Sequence, residues 1–161
     1  LTVLRAFGRY ATEQPDARLY MVYQTEALLE DINKLVQSEP ALQKAVVLVG
    51  SVPHQVMEDW YNSADFIISA SHYEGSGVAV CEAMSCGCIP ILSDIPSFRA
   101  MTGEGSCGFL YPPGNPEALL ALLLHTKTIN REQEKEKTLR QFRKELSSGA
   151  IAAKIEAIIA E

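Results

Sequence analysis

Apolar positions along this chain switch between two periods, and the switching predicts an alternation of helices and short strands. Leu1, Leu4, Phe7 and Tyr10 fall on one face of a helix, so the chain is expected to open inside the first helix of its domain. A strand follows at 17–23, a helix near 25–37 with Leu28, Leu29, Ile32, Leu35 and Val36, and a strand at 45–50. A helix near 54–62 leads to Phe66-Ile67-Ile68-Ser69-Ala70, a short apolar run with β-branched residues that reads as a buried strand of a parallel sheet at 66–70. Val80, Cys81 and Met84 give residues 78–85 helical spacing. Next come a strand at 89–93, a short helix near 96–102, a strand at 108–111 and a helix from about 116. Such alternation predicts an α/β fold with a doubly wound, mostly parallel sheet.

The tail changes character. Arg131-Glu132-Gln133-Glu134-Lys135-Glu136-Lys137 is a dense charge run, and Leu139, Phe142 and Leu146 continue it at helical spacing, which predicts a solvated helix with one apolar face. Ser147-Ser148-Gly149 interrupts that helix, and Ile151, Ile155 and Ile158 form a new apolar stripe.

The chemistry concentrates in the loop after the 66–70 strand. Gly75 and Gly77 let backbone amides approach a ligand, and the amides that open the following helix would offer partial positive charge to phosphate or sugar oxygens. Glu74 precedes the turn and Glu82 lies well inside the helix, so the two carboxylates suit separate hydroxyl contacts along an extended ligand better than a close acid/base couple. His72 in the same loop is a candidate proton shuttle or phosphate contact weighed against an ordinary structural role, and His54 and His125 have no motif around them. Arg99 is a candidate phosphate contact weighed against an ordinary surface role. Asp94 is expected to cap the helix that starts near Pro96, and Trp60, with Met57 and Ala64, to belong to a core face.

Glu74, seven intervening residues and Glu82, followed by Ala-Met-Ser-Cys-Gly-Cys-Ile-Pro, resemble the signature of the family four retaining glycosyltransferases. The likeness continues in order through Ala64-Asp65-Phe66-Ile67-Ile68-Ser69-Ala70-Ser71 before the signature, Pro90-Ile91-Leu92-Ser93-Asp94 after it, and the Gly108-to-Leu119 segment beyond. The resemblance implies the C-terminal, donor-binding half of an enzyme with two Rossmann-like domains. Residues 1–161 would be that single domain, without the N-terminal acceptor domain. It implies that Glu82 accepts from the nucleotide ribose and that Glu74 accepts from the donor sugar and acts as the catalytic residue. The amides of Ser76, Gly77 and Val78 would face the sugar and diphosphate, with Gly75 in the same loop, and Val52, in the Ser51-Val52-Pro53 loop, is the candidate base contact. The donor would be a nucleotide diphosphate sugar, transferred with retention to an acceptor hydroxyl, with no cofactor and no metal expected.

Some of the pattern departs from the family. The basic pair and Lys that grip the diphosphate in family members have no counterpart here, so the isolated chain is expected to bind donor weakly and transfer nothing. The first strand of the domain would also be missing. In the common order 3-2-1-4-5-6 that strand is central, and its loss would open a gap between the 17–23 and 66–70 strands, leaving edges that invite a partner strand or self-association. Tyr23-Gln24-Thr25 stands where relatives have a glycine, and Ile95-Pro96-Ser97-Phe98-Arg99 where many have Gly-Gly before Pro-Glu.

Composition excludes more than it identifies. At 161 residues, with 47% hydrophobic and 21% charged residues, the chain can bury a real core. A net charge of -6 and the lack of a basic stripe with interleaved aromatics argue against nucleic acid. No stretch is long and apolar enough to suggest a membrane span, which favours a cytoplasmic setting, with peripheral membrane contact of the full-length enzyme left open. The four cysteines lack Cys-x-x-Cys spacing and are expected as buried reduced thiols. A doubly wound oxidoreductase would carry a Gly-x-Gly-x-x-Gly turn after its first strand, and none stands there. The remaining alternative is a non-catalytic, degenerate transferase module acting as an assembly partner, for which Glu82 would be dispensable.

Overall fold

A computed structural model describes residues 1–160, and the chain in it divides into two compact units. The first comprises Leu1–Met57 and Gly114–Thr128; the second comprises Glu58–Pro113 and the chain from Ile129 on.

The first unit begins with α1 (Thr2–Glu13), followed by β1 (Leu19–Val22), α2 (Leu29–Ser38), α3 (Pro40–Ala45) and β2 (Val46–Gly50), and it later receives α7 (Pro116–His125). The opening helix is where the sequence predicts it, with Leu4, Phe7 and Tyr10 buried. The helix α1 packs against α3, where Leu42 and Ala45 are buried, and against α7, where Leu119, Leu120 and Leu123 are, so this unit's core is made by helices. Two boundaries differ from expectation. Residues 26–29 form a turn, closed by the Leu29 amide donating to the Glu26 carbonyl at 2.9 Å, and α2 starts only where Glu30 and Asp31 can oppose the helix dipole. The short helix α3 was not expected: Pro40 fixes its first position, and the residue before a proline is held extended, so Glu39 (φ -124°, ψ 112°) separates it from α2. The strands β1 and β2 pair in parallel, Leu19 opposite Val46 and Met21 opposite Leu48.

The second unit takes most of α4 (Met57–Asn62), then β3 (Phe66–Ser69), α5 (Val78–Ser85), β4 (Ile89–Ser93), α6 (Pro96–Thr102) and β5 (Phe109–Tyr111). Its sheet is parallel in the order β3-β4-β5, with Phe66 opposite Ile89 and Ile91 opposite Phe109. All five residues of β4 are buried, as a strand with neighbours on both edges should be. Val80 and Met84 from α5, Leu92 from β4, and Phe98 and Met101 from α6 build the core with Ile95 and Cys107. Gly108 (φ +66°) admits β5 beside β4, because a Cβ there would stand 2.3 Å from the Pro90 carbonyl oxygen.

The charge run becomes α8 (Arg131–Gln141), capped by the Asn130 side chain accepting from the Gln133 amide at 3.1 Å, and widens into a π turn over Phe142–Leu146. Phe142 and Leu146 pack on the core, as the apolar face predicts. Ser147 ends the turn and caps α9 (Ser148–Ile159), whose Ile151, Ile155, Ile158 and Ile159 are exposed by 48, 52, 71 and 79%. No helix among the described residues is long and apolar enough to cross a membrane.

The chain thus has the expected α/β layering with parallel strands, in two sheets: β1-β2 and β3-β4-β5. Among the described residues β1 pairs β2 alone and β3 pairs β4 alone, so the strands form two separate sheets.

Candidate functional site

The loop at the carboxyl end of β3 carries most of the candidate residues, all within the second unit. Its base is fixed by two hydroxyls. Ser93 Oγ at the end of β4 donates to the Ser71 carbonyl at 2.5 Å, and the Tyr111 hydroxyl on β5 donates to the Ser69 carbonyl at 3.0 Å. Both donors are themselves buried, Ser93 at 0% and Tyr111 at 1% exposure, so the start of the loop is set by the sheet. His72 and Tyr73 are exposed, Glu74 is half-buried, and Gly75 and Ser76 are exposed again.

The turn then tightens at Gly77, the N-cap of α5. Its left-handed conformation (φ 57°, ψ 37°) suits glycine, and a Cβ there would come within 2.8 Å of Met101 Sδ on α6. This close fit aims the start of α5 at the loop. The Glu74 carboxylate uses that geometry: its Oε1 accepts from the Gly77 amide at 3.2 Å, placing a negative charge where the helix dipole is positive. Val78, the first residue of the helix, is exposed.

Glu82 lies in the second turn of the same helix and is half-buried. The Tyr61 hydroxyl, on α4, donates to Glu82 Oε2 at 3.4 Å. Burial, with the Glu82 charge and this hydrogen bond adding to it, pushes the Tyr61 hydroxyl up to about 12, so it stays a proton donor throughout the neutral range. Trp60, expected with Met57 and Ala64 on a core face, is half-buried. It is the neighbouring Tyr61, 8% exposed, that enters the core and reaches the carboxylate. The six-residue α4 is too short to show a period, and the contact spans 21 positions.

Other expectations meet a different arrangement. Asp94 does not cap α6: the N-cap is Ile95, without a side-chain cap. The Asp94 carboxylate instead takes both Nε and NH2 of Arg99 in a forked pair, which holds it below the usual carboxylate range and occupies the guanidinium considered for phosphate. Val52 belongs to the first unit, on the loop after β2, half-buried. A groove of about 370 Å³ in that unit, lined by Gly8, Arg9, Thr12, Glu39, Pro40 and Ala41, contains none of the candidate residues. Cys88 and Cys107 are buried, Cys81 and Cys86 half-buried, and all four are free thiols. Among the described residues no group of three or more His, Cys, Asp or Glu is arranged to hold a metal ion.

The arrangement is therefore two carboxylates on one helix: one drawn from the preceding loop onto the amide of its N-cap, the other held in its second turn. The family described as glycosyl transferases group 1 matches residues 1–126. The chain belongs to that family. Among similar glycosyltransferases, the GDP-mannose:cellobiosyl-diphosphopolyprenol alpha-mannosyltransferase of Xanthomonas oryzae pv. oryzae is 37% identical over 99 residues, which is 59% of this chain and 26% of that protein. The chain thus spans about a quarter of the length of this curated relative. Of solved structures, the C-terminal domain of a glycosyl transferase group 1 family protein from Francisella tularensis superposes with a TM-score of 0.80 at 19% identity, covering 91% of this chain and 78% of that one. Sucrose-phosphate synthase from Thermosynechococcus elongatus gives 0.80 at 20% identity, over 99% of this chain and 42% of that one. Both likenesses concern the fold, and they place the chain among Rossmann-like α/β domains.

Proposed function

We propose that this chain is the donor-binding part of a glycosyltransferase, holding a nucleotide diphosphate sugar while the sugar passes, with retention at its anomeric carbon, to an acceptor hydroxyl. The observation that carries the reading is the pairing of Glu74 with the Gly77 amide at the opening of α5, with Glu82 one turn further along the same helix. In this reading the donor's diphosphate and sugar meet the amides of Ser76, Gly77 and Val78 beside Gly75, Glu74 turns from the helix end to the sugar hydroxyls, and Glu82 accepts from the ribose. Helix amides are pre-oriented donors that stabilise charge growing on a leaving diphosphate without reorganising. Val52 is the proposed base contact.

Guanosine is the first base to try, because the relative named above uses GDP-mannose. The reading needs no metal or other cofactor, and it sets the work in the cytoplasm, with the full-length enzyme able to meet a membrane surface. In this reading the isolated chain binds donor weakly and transfers nothing. Titration of the protein with GDP, UDP and ADP and their sugar conjugates, followed by amide NMR shifts, tests this. One nucleotide should move the amides of residues 74–82, and Glu82→Ala should weaken its binding about tenfold or more, the cost of a charged hydrogen-bond acceptor. Unchanged binding by Glu82→Ala would overturn the donor-site reading. That result would favour the alternative, a non-catalytic assembly module, which draws its support from the exposed isoleucine stripe of α9.

A further inference from the structure

Tyr61 is buried, yet its hydroxyl is not spent on the backbone. The second unit's other fully enclosed tyrosine, Tyr111, donates to a neutral main-chain carbonyl. Tyr61 instead donates to a carboxylate, and a buried hydroxyl is costly unless such a partner is present. Its backbone is pinned at the same corner: the Tyr61 carbonyl accepts from the Cys88 thiol at 3.0 Å and from the Ala64 amide at 3.2 Å. Cys88 closes the turn from α5 into β4, so the end of α4 is tied to the end of the helix that carries Glu82. The ring has little freedom to leave.

A glutamate carboxylate hangs on three rotatable bonds, and fixing it at the moment of binding costs side-chain entropy. A donor held rigidly beside one of its oxygens settles that cost during folding. We propose that Tyr61 is a positioning residue for ligand recognition: its hydroxyl sets the plane of the Glu82 carboxylate so that the vicinal hydroxyls of a nucleoside diphosphate's ribose meet an acceptor already in place. This rests on the donor-site reading of Glu82. At 3.4 Å the contact is longer than an optimal O–H···O bond, as such contacts often are before a ligand closes the site.

The test uses the full-length protein, calorimetric titration with GDP and UDP, and the 2′,3′-dideoxy forms of both. Tyr61→Phe keeps the ring and removes only the hydroxyl. Its Kd for the better of GDP and UDP should rise roughly fivefold, the usual worth of one net hydrogen bond. The dideoxy analogue should bind wild type and Tyr61→Phe equally, because it gives Glu82 nothing to accept. In a Glu82→Ala background, Tyr61→Phe should add no further loss. Equal weakening of the ribose and dideoxy forms would make Tyr61 a merely structural residue and overturn the proposal. So would an unaffected Tyr61→Phe beside an impaired Glu82→Ala, which leaves the donor site standing. If wild type binds neither nucleotide, or Glu82→Ala binds as wild type does, the donor-site reading and this inference fall together.

Discussion

In the second unit all five residues of β4 are buried between β3 and β5, whereas in the first unit β1 alternates between half-buried and exposed, leaving Tyr20 at 53% and Val22 at 36% exposure. Both strands are short, apolar and parallel to their partners. Their environments differ because a three-stranded sheet has an interior strand and a two-stranded one has none. The first unit compensates with helices, since its fully buried side chains, Leu4, Leu42 and Leu119, all come from α1, α3 and α7. The second unit uses its interior strand to hold a loop, for Ser93 and Tyr111 carry the sheet's rigidity into residues 69–71. A recognition loop needs that kind of support, because a site held loosely by its scaffold loses the orientation it was built for.

The largest expected effect breaks the comparison at its centre. Ile91→Ala, at a position with 0% exposure in β4, should destabilise the second unit by about 3 kcal/mol, combining lost burial and a cavity. Val47→Ala in β2, at 40% exposure, should cost under about 1 kcal/mol. Urea unfolding read by far-UV circular dichroism compares the two. Trp60, the chain's single tryptophan, lies in the second unit and reports on that unit by fluorescence. Equal costs would mean that β2 is as enclosed as β4.

The same contrast explains what could be read from the sequence. The helix over 78–85, the strand over 89–93 and the helix over 96–102 fall where predicted, because glycine or proline punctuates each apolar run of the second unit. What escaped was set by contacts distant in sequence or by single residues. α3 depends on Pro40 starting a six-residue helix, which is too short for a period to stand out. Asp94 has the composition of a cap, but Arg99, five positions on, competes successfully for its carboxylate. The Tyr61 contact joins residues 21 positions apart, which no local pattern signals.

A second, smaller difference lies in titration. Burial pushes the Cys88 and Cys107 thiols up to about 11 from 9.0, and the Tyr61 and Tyr111 hydroxyls up to about 12 from 10.0, and all four groups belong to the second unit. Each raised value means that the folded state prefers the neutral form. Their contribution is complete below the unfolded values and is lost as pH rises, from 9 through 11 for the thiols and from 10 through 12 for the tyrosines. Urea midpoints measured from about pH 8 to about pH 11 should therefore fall, and the Cys88→Ala, Cys107→Ala double variant should flatten the early part of that fall. An unchanged slope in the double variant would remove the thiols as its cause.

The smallest expected effect compares one ion pair in each unit. Lys34 and Glu30 on α2 stand 2.6 Å apart with side chains 68 and 83% exposed, so water screens them and Lys34→Met should cost about 0.3 kcal/mol. Lys137 and Glu134 on α8 are also 2.6 Å apart, but the Glu134 side chain is only 15% exposed. Lys137→Met would leave that carboxylate partly desolvated without its cation, and the cost should reach about 1 kcal/mol. A second consequence separates this loss from a simple packing change. Glu134 raises the Cys107 thiol while Lys137 lowers it, so without Lys137 the thiol titrates higher still. The alkaline fall in stability should then begin at the same pH, set by the unfolded thiol, and continue to a higher one. A Lys137→Met protein whose alkaline profile matches wild type would mean that Lys137 is as well screened as Lys34, and that the electrostatic difference between the two units stops short of α8.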